Sequence, residues 1–92
     1  MAQPLANQTD RAAPANPFTA RALAALAYAN GFTLWHYRAL GEHAAPLATV
    51  TGRGFFAEAD HLIEPGDFVL VSARDGGAML CAAPGSHMVR VA

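Results

Sequence analysis

Apolar residues follow three successive rhythms along the chain. In residues 1–17 there is none: Pro4, Pro14 and Pro17 are spread among Asn, Gln, Thr and Asp, with Leu5 as the one large aliphatic side chain. Such a segment cannot bury enough apolar surface to fold alone, so it reads as an arm, either a disordered tail or an anchor that orders on a partner. From Phe18 to Asn30, residues Ala20, Leu23, Ala24 and Ala27 recur at helical spacing, with Leu26 beside them. Asn16 is placed to cap, Pro17 suits a first helical position, and Asn30-Gly31 offers a left-handed stop, so this pattern predicts a helix over 18–30. Its apolar face is shallow because alanine carries little area, and it is expected to pack on something flat or on copies of itself.

From Gly31 onward the period falls to two. Phe32, Leu34 and His36 alternate with Thr33, Trp35 and Tyr37, which predicts a strand with apolar bulk on both sides. Both sides are therefore expected to be covered. Leu47–Thr51 is a short β candidate closed by Gly52-Arg53-Gly54. Residues 55–63, with apolar side chains at 55, 56, 59, 62 and 63, have helical spacing over about two turns. Strands are then expected over 67–73, 78–83 and 87–91. Closely spaced strands joined by glycine turns suggest a small antiparallel sheet or open barrel. The fold class is α+β, mainly β: an arm over 1–17, a helix over 18–30 and a small β domain over 31–92.

Two turns are the most legible local features. Pro65 fixes its own φ and Gly66 tolerates a positive φ, so the pair suits the centre of a type II turn between Glu64 and Asp67. Asp67 is expected to hydrogen-bond nearby backbone there. Asp75-Gly76-Gly77 reverses the chain into the next strand. Pro65, Gly66, Asp67, Gly76 and Gly77 are read as structural residues.

Composition sharpens the picture at one point. The 92-residue chain is 53% hydrophobic, but 22 of its residues are Ala and only 20 are Val, Ile, Leu or Phe, near the lower edge for a globular chain. Charged residues make up 14%, with six Arg, no Lys and a net charge of −1. A thin core and sparse surface charge suit a subunit covered by neighbours, although a GC-rich genome favouring Ala, Gly, Arg and Pro yields the same composition. The six arginines are scattered, so no phosphate-tracking stripe points to nucleic acid. Cys81 is the single cysteine and can form no internal disulfide. The start, MAQPLANQTD, lacks the basic residues and apolar run of a signal peptide, and no stretch is long enough to cross a membrane.

Candidate chemistry is sparse. His36, His43, His61 and His87 show none of the short spacings of a metal site, and no metal or cofactor is expected. Ser72 and Cys81 fall in apolar strands, while Ser86 and His87 are neighbours that a strand points to opposite faces. Glu58 and Asp60 read as the solvated side of a short helix, and Gly52-Arg53-Gly54 is too brief for a phosphate loop. No catalytic residue is assigned, and an enzyme is not expected. The large apolar and aromatic residues stand out instead. Phe18, Leu23, Leu26, Trp35, Tyr37, Phe55 and Phe56 are candidates for a subunit interface, since Trp and Tyr often anchor one.

The order LWHY, ATV, GFF, HLIEPGDFVLVSARDGG and MVRVA resembles a family of small structural proteins of tailed bacteriophages and phage-like particles. Leu34, Trp35, Tyr37, Ala48 to Val50, Gly54, Phe56, Leu62, Gly66 and Asp67 occupy the matching places, over about Gly31 to Ala92. Thr51 stands where the family usually has an acid, and neither the arm nor residues 18–30 belong to the pattern. The resemblance implies a virion component attached to the head, as a decoration subunit or as the base of a fibre or spike, made in the bacterial cytoplasm. On this reading the thin core calls for a homo-oligomer, a trimer being favoured for a spike, with contact to capsid or a neighbouring fibre or spike protein. The scattered arginines and the lack of a long apolar run give no reason to expect a nucleic-acid or membrane partner. The alternative is a monomeric β-barrel module that binds a peptide or carbohydrate on Trp35, Tyr37 and Arg38.

Overall fold

A computed structural model describes residues 17–84 and 87–92. Most of residues 1–17, the expected arm, and Ser86 lie outside the described residues. The described chain is mainly β, with one short helix and several 3-10 turns. Five strands, β1 (Leu23–Ala29), β2 (Phe32–Ala39), β3 (Phe68–Ala73), β4 (Gly76–Ala83) and β5 (His87–Arg90), form one open sheet in the order β1-β2-β3-β4-β5. The expected class, α+β and mainly β, holds, and the expected small antiparallel sheet or open barrel is corrected in one pair of strands. β2 and β3 are parallel, while the other neighbouring pairs are antiparallel, and the sheet does not close. A parallel pair needs a long crossover, and residues 40–67 supply it.

The expected helix over 18–30 is replaced by a 3-10 turn at Ala20–Ala22 followed by β1. Asn30 and Gly31, read from sequence as a helix stop, are the two loop residues of the β1–β2 hairpin. Ala29 pairs with Phe32, and both loop residues have positive φ, 57° and 81°, as a type I′ turn requires. Alanine is the best helix former, but intrinsic propensity amounts to less than about 1 kcal/mol per residue and tertiary context overrides it. Here the aromatic strand β2 provides a ladder of backbone partners that outweighs it. Leu26 sits in a bulge between the paired residues Ala25 and Ala27.

Two further elements differ from the sequence reading. Leu47–Val50 is a single helical turn, α1, not a strand. Pro46 precedes it with no capping side chain, and the carboxylate of Asp75 accepts the Leu47 N–H at 2.7 Å from the β3–β4 loop. The Thr51 hydroxyl donates back to the Leu47 carbonyl. Residues 55–63 form a 3-10 turn at Ala57–Ala59 flanked by other turns, not two turns of α-helix. This crossover places Ala45, Val50, Phe56, Ala59 and Ile63 against one face of the sheet, where Tyr37, Val69, Val71, Leu80 and Ala82 are buried. That is the core, and it lies on one side of the sheet only.

The turn at 64–67 has the expected form. The Asp67 N–H donates to the Glu64 carbonyl at 2.9 Å, and Gly66 has φ 96°. The Gly66 N–H then donates to the Ala82 carbonyl, and the Ala82 N–H to the Asp67 carbonyl, both at 2.8 Å, which fastens the turn to β4. The β3–β4 reversal falls one residue earlier than expected: Ala73 pairs with Gly76 across Arg74-Asp75, and Gly76 and Gly77 already belong to β4.

Candidate functional site

Asp67 is the one buried charged residue among those described, at 4% exposure. Its side chain reaches further than the local turn. One carboxylate oxygen accepts the Thr33 N–H at 2.9 Å, and the other accepts the Trp35 Nε1–H and the Glu64 N–H, each at 3.0 Å. Burial alone pushes the carboxyl pKa up. The Trp35 indole and the two backbone donors outweigh that and hold it below its ordinary 3.8. With its lone pairs engaged by these donors, Asp67 joins β2 to the turn. It is a structural junction, not an acid or base presented to a ligand.

The aromatic candidates gather at a second junction. Phe18 stacks on Tyr37 at 5.5 Å, and Phe55 and Phe56 meet Tyr37 edge-on, each at 5.3 Å. The Thr19 N–H donates to the Tyr37 hydroxyl at 3.0 Å. Tyr37 and Phe56 are buried, and Phe18, Leu23, Trp35 and Phe55 pack against the same core. The assignment of these residues to a subunit interface is therefore corrected for the buried pair, because their apolar area is consumed inside the domain. Of the seven, Leu26 remains well exposed, at 54%. The stacking surface imagined for a binding module does not form either. Trp35 and Tyr37 point to the core face, and Arg38, the next residue along, points to the opposite one.

The opposite face is where the apolar bulk is left over. Strand register places Leu34, Phe68, Cys81 and Val89 in one row across β2 to β5, and His36, Leu70 and Met79 in the next. Phe32 lies beyond the first row and contacts Phe68 edge-on at 5.8 Å. These side chains are half-buried by one another, Val89 is exposed, and no described element covers them. Single exposed apolar residues need no explanation, but a contiguous apolar patch marks an interaction surface. At the end of this face are Arg38, Ser72 and Gly77, and the His36 ring lies 2.9 Å from the Ser72 hydroxyl. This pair has the spacing of a nucleophile and base, but among the described residues no carboxylate is hydrogen-bonded to the His36 ring, so they assemble no triad.

The sequence signal available for this face is the unbroken run Phe68-Val69-Leu70-Val71. Four apolar residues in succession put two on each side of a strand. That pattern showed both faces to be apolar without showing which one the chain covers itself.

Other features offer less. Among the described residues no three His, Cys, Asp or Glu side chains cluster to hold a metal. A cleft of about 160 Å³ is walled by Phe56, Ile63, Pro65, Ala82 and Met88, and clefts of about 370 and 330 Å³, at the small end of small-molecule sites, flank Arg53-Gly54-Phe55. No described helix is long and apolar enough to cross a membrane. No family model, curated protein or solved structure matches the chain.

Proposed function

We propose that this chain is a structural subunit of a phage-like particle and acts by contact. It would sit on the head as a decoration subunit or as the base of a fibre or spike, touching capsid or a neighbouring fibre protein. The observation that carries this reading is the apolar sheet face bearing Leu34, Phe68, Leu70, Met79 and Cys81, which no described element covers. A face of this kind is costly to leave in water and stabilising when a neighbour buries it. The resemblance of residues 31–92 to small virion proteins supports the same reading. Several of its pattern residues occupy folding positions: Trp35 and Asp67 make the polar junction, Gly66 forms the turn beside it, and Tyr37, Val50 and Phe56 lie in the core, while Leu34 lies on the outer face. The pattern thus marks the scaffold and, at Leu34, the outer face on which that scaffold would meet its neighbours.

The test is co-purification. Tagged chain should sediment with particles from the host that encodes it, and Leu70→Lys should remove it from that fraction while leaving its circular dichroism unchanged. Deletion of residues 1–17 should also release it if the arm is an anchor. Wild-type chain absent from purified particles would overturn the proposal.

A further inference from the structure

The uncovered face does not reveal its partner by shape alone, but its chemistry narrows the choice. We infer that the occupant is the same face of another copy of this chain, so that copies pack sheet against sheet through Phe68, Leu70 and Met79. This inference rests on the structural-subunit reading and names the neighbour at that site.

Three observations carry it. First, charge offers no handle for a different partner. The strand positions on this face include no acid, and their polar members, His36, His87, Ser72 and Arg38, sit among or beside the apolar rows. Arg38 lies at one end. A cationic or anionic partner would find little to recognise, whereas two copies of a nearly neutral face meet without repulsion. The chain's net charge of −1 adds little long-range opposition.

Second, the composition of the chain's own arm does not suit this face. Residues 1–16 contain Met1 and Leu5 as their only large apolar side chains, too few for a patch spanning four strands.

Third, the size suits self-contact. Strands about 4.8 Å apart and residues about 3.3 Å apart give a face on the order of 500 Å² in plan, about 1,000 Å² over two copies, which is the size of a weak, reversible contact. Two such faces packed about 10 Å apart reproduce the inner layer of a β-sandwich. The contact is expected to form at micromolar concentrations, not nanomolar ones.

Sedimentation of the full chain at tens of micromolar tests the inference. The wild type should run as an oligomer. Leu70→Lys and Phe68→Lys should each yield a folded monomer, and Leu62→Lys, exposed away from this face, should leave the oligomer intact. Cys81 gives a second readout without mutation. Its reaction with a maleimide should be slow in the oligomer and at least several-fold faster after dilution or in Leu70→Lys. A monomeric wild type, or an oligomer that keeps its size in Leu70→Lys with Cys81 equally reactive throughout, overturns it. If the wild type is monomeric while Leu70→Lys still loses particle association, this inference falls and the structural-subunit reading stands. An oligomer with no particle association gives the reverse.

Discussion

Leu70 and Val71 are neighbours on one strand with nearly the same chemistry, yet they lie in different environments. Val71 pairs with Tyr37, lies in the same core as Val50 and Phe56, and is 4% exposed; Leu70 lies between His36 and Met79 on a face that the described elements leave open. One side of β3 holds the fold together, and the other is available for contact. In so small a domain the crossover 40–67 can cover only one side of the sheet. The same sequence pattern therefore has two physical consequences, decided by which side the long β2–β3 connection takes.

The pair gives the sharpest way to break this comparison. Val71→Lys places an unpaired charge in the core and should cost about 4 kcal/mol or more, enough to unfold the domain. Leu70→Lys should change the stability of the isolated chain by no more than about 1 kcal/mol, because its amine reaches water. Denaturant titration of both variants checks this. Equal losses would mean that the outer face is part of the core.

A somewhat smaller effect is expected at the polar junction. Asp67→Ala strands the Trp35 indole and the Thr33 and Glu64 N–H groups, which should cost about 3 kcal/mol in urea unfolding. The carboxyl also sets a pH dependence. Its pKa in the folded chain lies below the ordinary 3.8, so the ionised form contributes stability above that value and the contribution is lost as pH falls through the lower folded-state value. The melting temperature should be steady from neutrality to about pH 5 and then fall, and Asp67→Asn should start lower and show a shallower acid slope. An unchanged slope in Asp67→Asn would assign the acid sensitivity to other groups.

Turn glycines give the mildest perturbations. Gly66→Val forces a β-branched residue to φ 96° and should cost about 2 kcal/mol, lowering the melting temperature and, through it, assembly. Gly31→Ala should cost about 1 kcal/mol. A Cβ there meets nothing within 4 Å, so the loss reflects backbone conformation alone. A neutral Gly31→Ala would count against the hairpin at Asn30-Gly31.

The legible parts of the fold were those fixed by nearby residues. Pro65-Gly66 and the apolar run after Asp67 identified the turn and β3 because both act over a few residues. The residues 18–30 misled because their alanines suit a helix locally, while the ladder that makes them a strand comes from β2. The Asn30-Gly31 pair was the available clue, since it favours a type I′ hairpin as strongly as a helix stop. Leu47–Val50 misled in the opposite direction. Thr49 and Val50 favour strand, yet Asp75, far away in sequence, supplies the acceptor that starts α1. At the candidate site, the sequence marked the aromatic residues because they are large, and the fold uses most of them internally. The less conspicuous Leu34, Phe68, Leu70 and Met79 remain outside because only the three-dimensional crossover decides which face is covered.

The central claim, that the face bearing Leu70 is buried by a neighbouring copy, is tested most directly by the concentration dependence of thermal unfolding. If association stabilises the folded state, the melting temperature of the wild-type chain rises with each tenfold increase in protein concentration, and that of Leu70→Lys does not. A wild-type melting temperature that stays constant over the micromolar range, equal to that of Leu70→Lys, would contradict the account.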